Sequence, residues 1–129
     1  MKGNHDSSAD FSSGIRDLHL DTIKIGDIKF GGFAGAWRYK PVGNFLFDQS
    51  EVNFFLPKFP PVDVFIAHNS PRGIHDREDD VHWGFEGFVH YIDRIQPKLF
   101  LHGHQHLSRE TQRNETRVIG TYGSRILVI

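Results

Sequence analysis

The chain has 129 residues, which is enough for one domain or for part of a larger one. Hydrophobic residues make up 38% of it and aromatic residues 13%, so it can form a packed core. A formal net charge of -1 lacks the basic surplus of nucleic-acid-binding domains, and the absence of cysteine excludes disulfides and thiolate zinc sites. No apolar run approaches the ~18 residues of a membrane span, and the polar first residues lack a signal-peptide core. We therefore expect no membrane association and a cytoplasmic location.

The first half of the chain predicts short strands separated by loops. Thr22–Ile25 and Ile28–Phe30 are rich in β-branched and aromatic residues and predict two strands. Three glycines within residues 31–35 predict a tight turn rather than the interior of an element. Phe45–Phe55 is ambiguous, with a candidate helix start in its middle and several prolines after it.

The second half predicts a strand, a helix and three further strands. Val62–Ala67 is a nearly continuous apolar run, typical of a strand buried on both faces, and Lys98–Leu101 is similar. Between them, Gly84–Gln96 has the apolar spacing of an amphipathic helix. Thr116–Thr121 and Arg125–Ile129 predict two strands joined by a short turn. The pattern indicates an α/β fold with a βαβ unit and an antiparallel edge.

Three polar clusters have no evident role in forming such a fold. They lie at Gly3–Asp6, at His68–Pro71 and at His102–His106. The second and third each follow a predicted buried strand, at the end where open α/β sheets place their ligand sites. Their positions therefore point to a site independently of any motif.

The residue types in these clusters indicate a metal site. Neutral imidazole binds divalent transition metals, and an asparagine carbonyl oxygen is an acceptable further ligand. His104 and His106 stand two apart after Gly103, which would let both rings turn toward one pocket. Without cysteine, such a site would use nitrogen and oxygen donors, suited to Mn, Fe, Co, Ni or Zn, and is more often catalytic than structural.

A simpler interpretation applies to single histidines. A histidine after a strand, such as His68 taken alone, is more often hydrogen-bonded or half-exposed than bound to metal. The occurrence of all three clusters favours the metal site, because chance would have to produce each of them. The remaining histidines are predicted to be surface or loop residues: His19, His75, His82 and His90.

The three clusters resemble motifs of the calcineurin-like metallophosphoesterase family. That family carries Asp-x-His, Gly-Asp-x-x-Asp, Gly-Asn-His-Asp (or Glu), a single His, and Gly-His-x-His, in that order. The chain has the last three, at Gly3–Asp6, His68 and Gly103–His106. The resemblance extends over essentially all of residues 1–129. It implies a single, incomplete domain, the C-terminal portion of an α/β sandwich of two packed mixed sheets flanked by helices.

The resemblance also implies a set of metal ligands. Asn4, His68 and His104 would bind one ion of a two-metal pair, and His106 would bind the other. The ions would be divalent transition metals, with Mn the first to test. In the family the pair activates a hydroxide for in-line attack on phosphorus.

Further residues would act on the substrate. The resemblance implies that His5 is the general acid that protonates the leaving alkoxide, with Asp6 holding it in orientation. Asn69 and Arg72 lie close to His68 in the sequence and are candidates for substrate contact.

The chain departs from the family pattern because neither Asp-x-His nor Gly-Asp-x-x-Asp occurs in it. Without their carboxylates, no anionic ligand remains at either ion. Three interpretations are open: a fragment, one half of a split protein completed by another chain, or a reduced descendant without catalysis. We prefer the fragment, whose partner is a missing N-terminal segment. An exposed sheet edge would also favour a homodimer.

Two functions from different classes follow. The leading hypothesis is a metal-dependent hydrolase, a phosphatase or phosphodiesterase, that acts on a small phosphoester. The alternative is a non-catalytic metal-binding or protein-interaction module derived from the same fold. A nuclease is least favoured, since lysines and arginines are scattered and form no basic stripe.

Overall fold

Eight strands and two α-helices form the fold of the computed structural model, which describes residues 1–129. Their bounds are β1 Thr22–Ile25, β2 Ile28–Phe33, β3 Ala36–Trp37, β4 Leu46–Phe47, α1 Gln49–Phe55, β5 Val64–Ala67, α2 Glu86–Ile95, β6 Leu99–His102, β7 Arg109–Arg113 and β8 Thr116–Gly120. A 3-10 turn at Leu56–Lys58 follows α1. Neither helix has the length and apolar character that crossing a membrane requires.

Six strands form one mixed sheet in the order β1-β2-β5-β6-β8-β7. The four central strands are parallel, and β1 and β7 pair antiparallel at the two edges. The α/β class is therefore confirmed, as is the βαβ unit in which α2 connects β5 to β6. The second sheet contains only β3 and β4.

The two faces of the six-stranded sheet are covered differently. On one face, residues from α1, α2 and the sheet form a core of fourteen buried side chains. The rings of Phe65 and Phe100 stack at its centre, with centroids 5.0 Å apart and planes 10° apart. The other face has a cluster of only three buried residues, Val64, Leu99 and Ile119.

The prediction of a turn at the glycines was partly wrong. Gly31 and Gly32 lie inside β2, and only Gly35 has the positive φ, 81°, of a turn residue. A side chain at Gly32 would overlap the Ile66 carbonyl of the neighbouring strand. Gly32 therefore serves the close approach of β2 and β5, whereas a Cβ on Gly31 would meet the Phe59 ring.

The predicted C-terminal hairpin was also wrong in its pairing. β8 pairs antiparallel with the preceding strand, β7, through a turn in which Asn114 has φ 50°. Arg125–Ile129 forms no strand, and Ile126 is 96% exposed while Leu127 packs on the sheet. The polar sequence of β7 gave no apolar signal, because an exposed edge strand is held by its backbone ladder.

Candidate metal centre

The carboxyl ends of the central parallel strands lie side by side, along the edge of the sheet that runs across the strand ends. β5 ends directly before His68, and β6 ends directly before Gly103. The Gly103 N–H donates to the His68 carbonyl at 3.0 Å, and the His68 N–H donates to the Phe33 carbonyl at 3.4 Å. The strand ladder thus continues into the loops and holds the second and third polar clusters side by side.

The first polar cluster is a tight turn that docks onto this edge. Asp6 closes the turn twice, because its N–H donates to the Gly3 carbonyl at 3.1 Å and its carboxylate accepts the Gly3 N–H at 2.6 Å. The Gly35 N–H donates to the Lys2 carbonyl at 2.9 Å, which anchors the turn to the chain after β2. A Cβ atom on Gly3 would lie 2.5 Å from Cε1 of His68. Glycine is therefore required where the turn meets this ring.

Three donor atoms converge at the junction of the clusters. Nε2 of His68 lies 2.9 Å from Oδ1 of Asn4 and 3.2 Å from Nδ1 of His104. Two ligands that bind one transition-metal ion lie about 3.0–3.5 Å apart, given bond lengths near 2.1 Å. Hydrogen bonds between these three atoms cannot satisfy all of them, because Nε2 of His68 carries at most one proton and faces two acceptors. A shared ion would satisfy all three atoms.

In Asn4 and His104, the side-chain nitrogen that faces away from the converging donor atoms is held by a hydrogen bond. Nδ2 of Asn4 donates to the hydroxyl of Tyr39 at 3.2 Å, so the amide oxygen is the atom that faces the cluster. Nε2 of His104 lies 3.2 Å from the Val81 carbonyl, which can only accept, so this nitrogen carries the proton. The lone pair on Nδ1 of His104 then points into the cluster, as a backbone-oriented metal ligand requires.

The electrostatics of the site keep the imidazoles neutral. Burial, together with the repulsion that would act between the two rings if both were protonated, lowers the pKa of His68 to about 4. Burial also lowers the pKa of His104 to about 4, and the nearby His82 acts in the same direction. Neutral rings at physiological pH leave their lone pairs free for a metal ion.

The remaining predicted ligand and the predicted acid lie beside this cluster. His106 is exposed, and its ring lies against Tyr122 with centroids 5.2 Å apart. His5 is also exposed, and it lies close enough that a charge on either residue would lower the pKa values of His68 and His104. The structure thus brings together three of the four predicted ligands, with His106 adjacent. No group of three or more His, Asp or Glu side chains is spaced to hold a metal ion, so the cluster depends on an amide for its third donor.

Asn69 and Arg72 hold the long loop between β5 and α2. Asn69 is completely buried, and its side chain donates to the Trp83 carbonyl at 2.8 Å and accepts the Ser70 N–H at 3.0 Å. Arg72 pairs with Asp76 at 2.7 Å and lies 4.7 Å from the Trp83 ring. Both side chains make hydrogen bonds within the chain, and their contact with a substrate remains a prediction.

A buried histidine pair behind the cluster was missed. His75, predicted at the surface, is only 7% exposed, and its Nδ1 lies 2.9 Å from Nε2 of His102. Nε2 of His75 lies 2.8 Å from the Thr111 hydroxyl, and Nδ1 of His102 lies 3.1 Å from the Gly103 carbonyl. Burial lowers the pKa of both rings. No local pattern marked His75, because its burial results from the loop folding back against β7.

The positions of His104 and His106 depend on their own backbone conformations. His104 has φ 61° and His106 has φ 51°, in the left-handed region that non-glycine residues rarely adopt. Gly103 was expected to let both rings turn toward one pocket, but it has no positive φ, and a Cβ there would make only an ordinary contact, 3.7 Å from the His68 carbonyl oxygen. The turn in this motif is therefore made by the histidines.

Comparisons with known proteins support the fold. No protein-family model matches the sequence, and the search of curated proteins found no match. The structure is similar to the crystal structure of TT1561 of Thermus thermophilus, with a TM-score of 0.56 and 14% identity over 81% of this chain and 48% of that one. The chain thus spans about half the length of that protein, and at this identity the likeness concerns the fold alone.

A second solved structure is more distant. It is a protein from Staphylococcus aureus assigned as a 5′-nucleotidase, in complex with alpha-ketoglutarate. The TM-score is 0.48 at 16% identity, over 78% of this chain and 23% of that one. A similarity this low supports no inference about the present chain.

The contact between Gly3 and His68 can be tested with a matched pair of glycine variants. Gly3→Ala should displace the His68 ring and reduce the free energy of unfolding by about 1–3 kcal/mol, as overpacking does. Gly103→Ala, in the same site, should change it by less than about 0.5 kcal/mol. Urea denaturation measures both values. Equal losses for the two variants would contradict the geometry described for Gly3.

Acid should destabilise the chain when it has been treated with a chelator. A histidine with a pKa of 6.5 in the unfolded chain and about 4 in the folded chain takes up its proton more readily when unfolded. Stability should therefore fall as the pH decreases from 6.5 toward 4, by about 3 kcal/mol for one such residue. Urea denaturation across this range measures the loss, and His104→Asn should show a shallower dependence.

Proposed function

We propose that this chain carries part of the metal site of a phosphoester hydrolase. The observation that supports this proposal most is the convergence of Oδ1 of Asn4, Nε2 of His68 and Nδ1 of His104. These residues come from three separate segments, and each lies in a segment that resembles a metallophosphoesterase motif. The substrate would be a small phosphomonoester or phosphodiester.

The donor set fits a divalent transition metal. Two neutral imidazole nitrogens and an amide oxygen suit Mn, Fe, Co, Ni or Zn. When bound there, an ion would polarise a phosphoryl oxygen and offset its negative charge. His106 is the candidate ligand for a second ion, since it is exposed beside the first group.

The residues of the turn would handle the proton. His5 is exposed next to Asn4, where it could donate a proton to the leaving oxygen of the substrate. Asp6 would act indirectly, because its carboxylate closes the turn through the Gly3 N–H. In this proposal Asp6 positions His5 through the backbone rather than by contact with the ring.

The carboxylate ligands of a complete site would have to come from elsewhere. The three converging donors are an amide oxygen and two imidazole nitrogens, so none of them carries a negative charge. We propose that an Asp-x-His and Gly-Asp-x-x-Asp segment, in the same or in another chain, completes the pair. A cytoplasmic location and a homodimer remain predictions.

The alternative function is a non-catalytic metal-binding or interaction module. The neutral donor set favours it, because anionic ligands raise metal affinity and help to ionise a bound water. The exposed His5 favours the hydrolase, since a binding module needs no proton donor at this position. Measurements of metal binding and of hydrolysis separate the two.

Metal affinity should depend on the converging donors. His68→Ala and His104→Ala should each weaken Mn²⁺ or Zn²⁺ binding by roughly 10- to 100-fold, as loss of a coordinating or orienting group does. His90→Ala is the matched control, because His90 is exposed on α2 and takes no part in the cluster. Isothermal titration calorimetry measures the three affinities. Unchanged affinity in the two ligand variants would exclude this site as the place of binding.

His5 should affect turnover far more than metal content. With the carboxylate segment present and Mn²⁺ added, His5→Ala should lower the hydrolysis of an aryl phosphate by roughly 10²- to 10⁴-fold. Metal content, measured by atomic emission, should stay the same. Full activity in this variant would rule out His5 as the acid. Metal binding without any hydrolysis by the completed protein would support the module instead.

A further inference from the structure

We call the converging donors of Asn4, His68 and His104 the metal-ligand cluster. An aromatic cleft lies next to it. It has a volume of about 240 Å³ and is lined by Trp37, Arg38, Tyr39, Asp80 and Trp83. The two indole rings lie with centroids 5.5 Å apart and a tilt of 32°. We call this the tryptophan cleft. Both indoles are partly exposed, so aromatic surface is open to a ligand.

The segments that form the cleft also orient the metal-ligand cluster. Tyr39, from one wall, accepts the hydrogen bond from Nδ2 of Asn4 at 3.2 Å. Val81, next to Asp80 on the other wall, accepts from Nε2 of His104 at 3.2 Å. The cleft therefore adjoins the cluster on two sides. A larger cavity of about 400 Å³ lies near Lys29, at the amino ends of β5 and β6, and is therefore at the opposite end of the strands from the metal-ligand cluster.

The indole of Trp83 is held firmly. The Arg72 guanidinium lies 4.7 Å from its ring and is itself tied to the nearly buried carboxylate of Asp76 at 2.7 Å. The Trp83 carbonyl accepts the Asn69 amide at 2.8 Å. Its indole N–H is buried without an acceptor, so the ring is not positioned by a hydrogen bond of its own. A fixed aromatic surface loses little freedom when a ligand stacks on it.

The charges of the cleft disfavour a phosphate there. Arg38 is already paired with Asp48 at 3.1 Å and with Glu51 at 3.3 Å. Asp80 is exposed and adds negative charge. A phosphate group would therefore go to the metal-ligand cluster, and an uncharged planar group would go to the cleft.

On the basis of the proposed function, we propose that the tryptophan cleft binds a planar aromatic group carried by the phosphoester substrate. The ring would stack on the exposed indole and phenol surfaces, an interaction that tolerates many heterocycles because each has a π face. A nucleobase and a simple aryl ring share this chemistry. The cleft would set the substrate class, and the metal-ligand cluster would hold the phosphate.

Tryptophan fluorescence gives a direct test, since Trp37 and Trp83 are the only two tryptophans in the chain. The full chain with Mn²⁺ is titrated with adenosine monophosphate, phenyl phosphate and ribose 5-phosphate. The two aromatic phosphates should change the emission in a saturable way, and ribose 5-phosphate should not. A response to adenosine monophosphate alone identifies a nucleobase, and a response to phenyl phosphate alone identifies an aryl group.

Variants of Trp37 test whether the aromatic group binds in the tryptophan cleft. Trp37→Leu should weaken the binding of the responding aromatic phosphate by roughly 5- to 100-fold, the range for the loss of one stacked ring. Trp37→Phe should retain most of the affinity, and circular dichroism checks that each variant is folded. Phe54→Leu is the control, because Phe54 is 59% exposed on α1.

The outcomes separate this inference from the proposed function. Hydrolysis by the completed protein without preference for aromatic phosphates, together with unchanged tryptophan emission, would overturn the cleft and leave the hydrolase intact. Saturable aromatic binding that Trp37→Leu weakens, without any hydrolysis, would support the cleft and overturn the hydrolase.

Discussion

The parallel register of β5 and β6 determines where the candidate site forms. Phe65 and Phe100 are paired across these strands, and their rings stack in the core 5.0 Å apart. A shift of one residue would turn each apolar side chain to the wrong face of the sheet, so the core opposes it. With this register, His68 and Gly103 lie side by side, joined by a hydrogen bond of 3.0 Å. The aromatic core thus places the polar site at the end of the strands.

The site itself contains features that oppose folding. His104 adopts a left-handed backbone conformation with φ 61°, and it is buried as a neutral ring. Such conformations persist only where surrounding contacts impose them, here the Val81 carbonyl at one ring nitrogen and His68 at the other. Locally unfavourable conformations and buried polar groups that are stabilised by several surrounding contacts are typical of functional sites. A bound metal ion would stabilise this arrangement, because it would bind the lone pairs that these contacts orient.

The long loop between β5 and α2 links the metal-ligand cluster to the tryptophan cleft. Asp76 joins two distant parts of this loop, since its carboxylate accepts the N–H groups of Gly73 and Gly84 at 2.9 Å each. The loop contributes Val81 to the metal-ligand cluster and Trp83 to the cleft. This loop therefore contacts both the proposed phosphate site and the proposed aromatic site, as expected of a loop that carries function on a rigid scaffold.

Local pattern determined the α/β class, the buried strands β5 and β6, the helix α2, and the polar clusters that follow the strands. These features depend on apolar periodicity and on residues adjacent in sequence, which a single chain displays directly. Only the tertiary structure decided which donor atoms meet, because Asn4 and His68 stand 64 positions apart. It also decided the pairing of the polar strand β7, the burial of His75 and the loop-holding role of Asn69. Each of these depends on contacts between residues distant in the sequence, and such contacts cannot be predicted from local apolar periodicity.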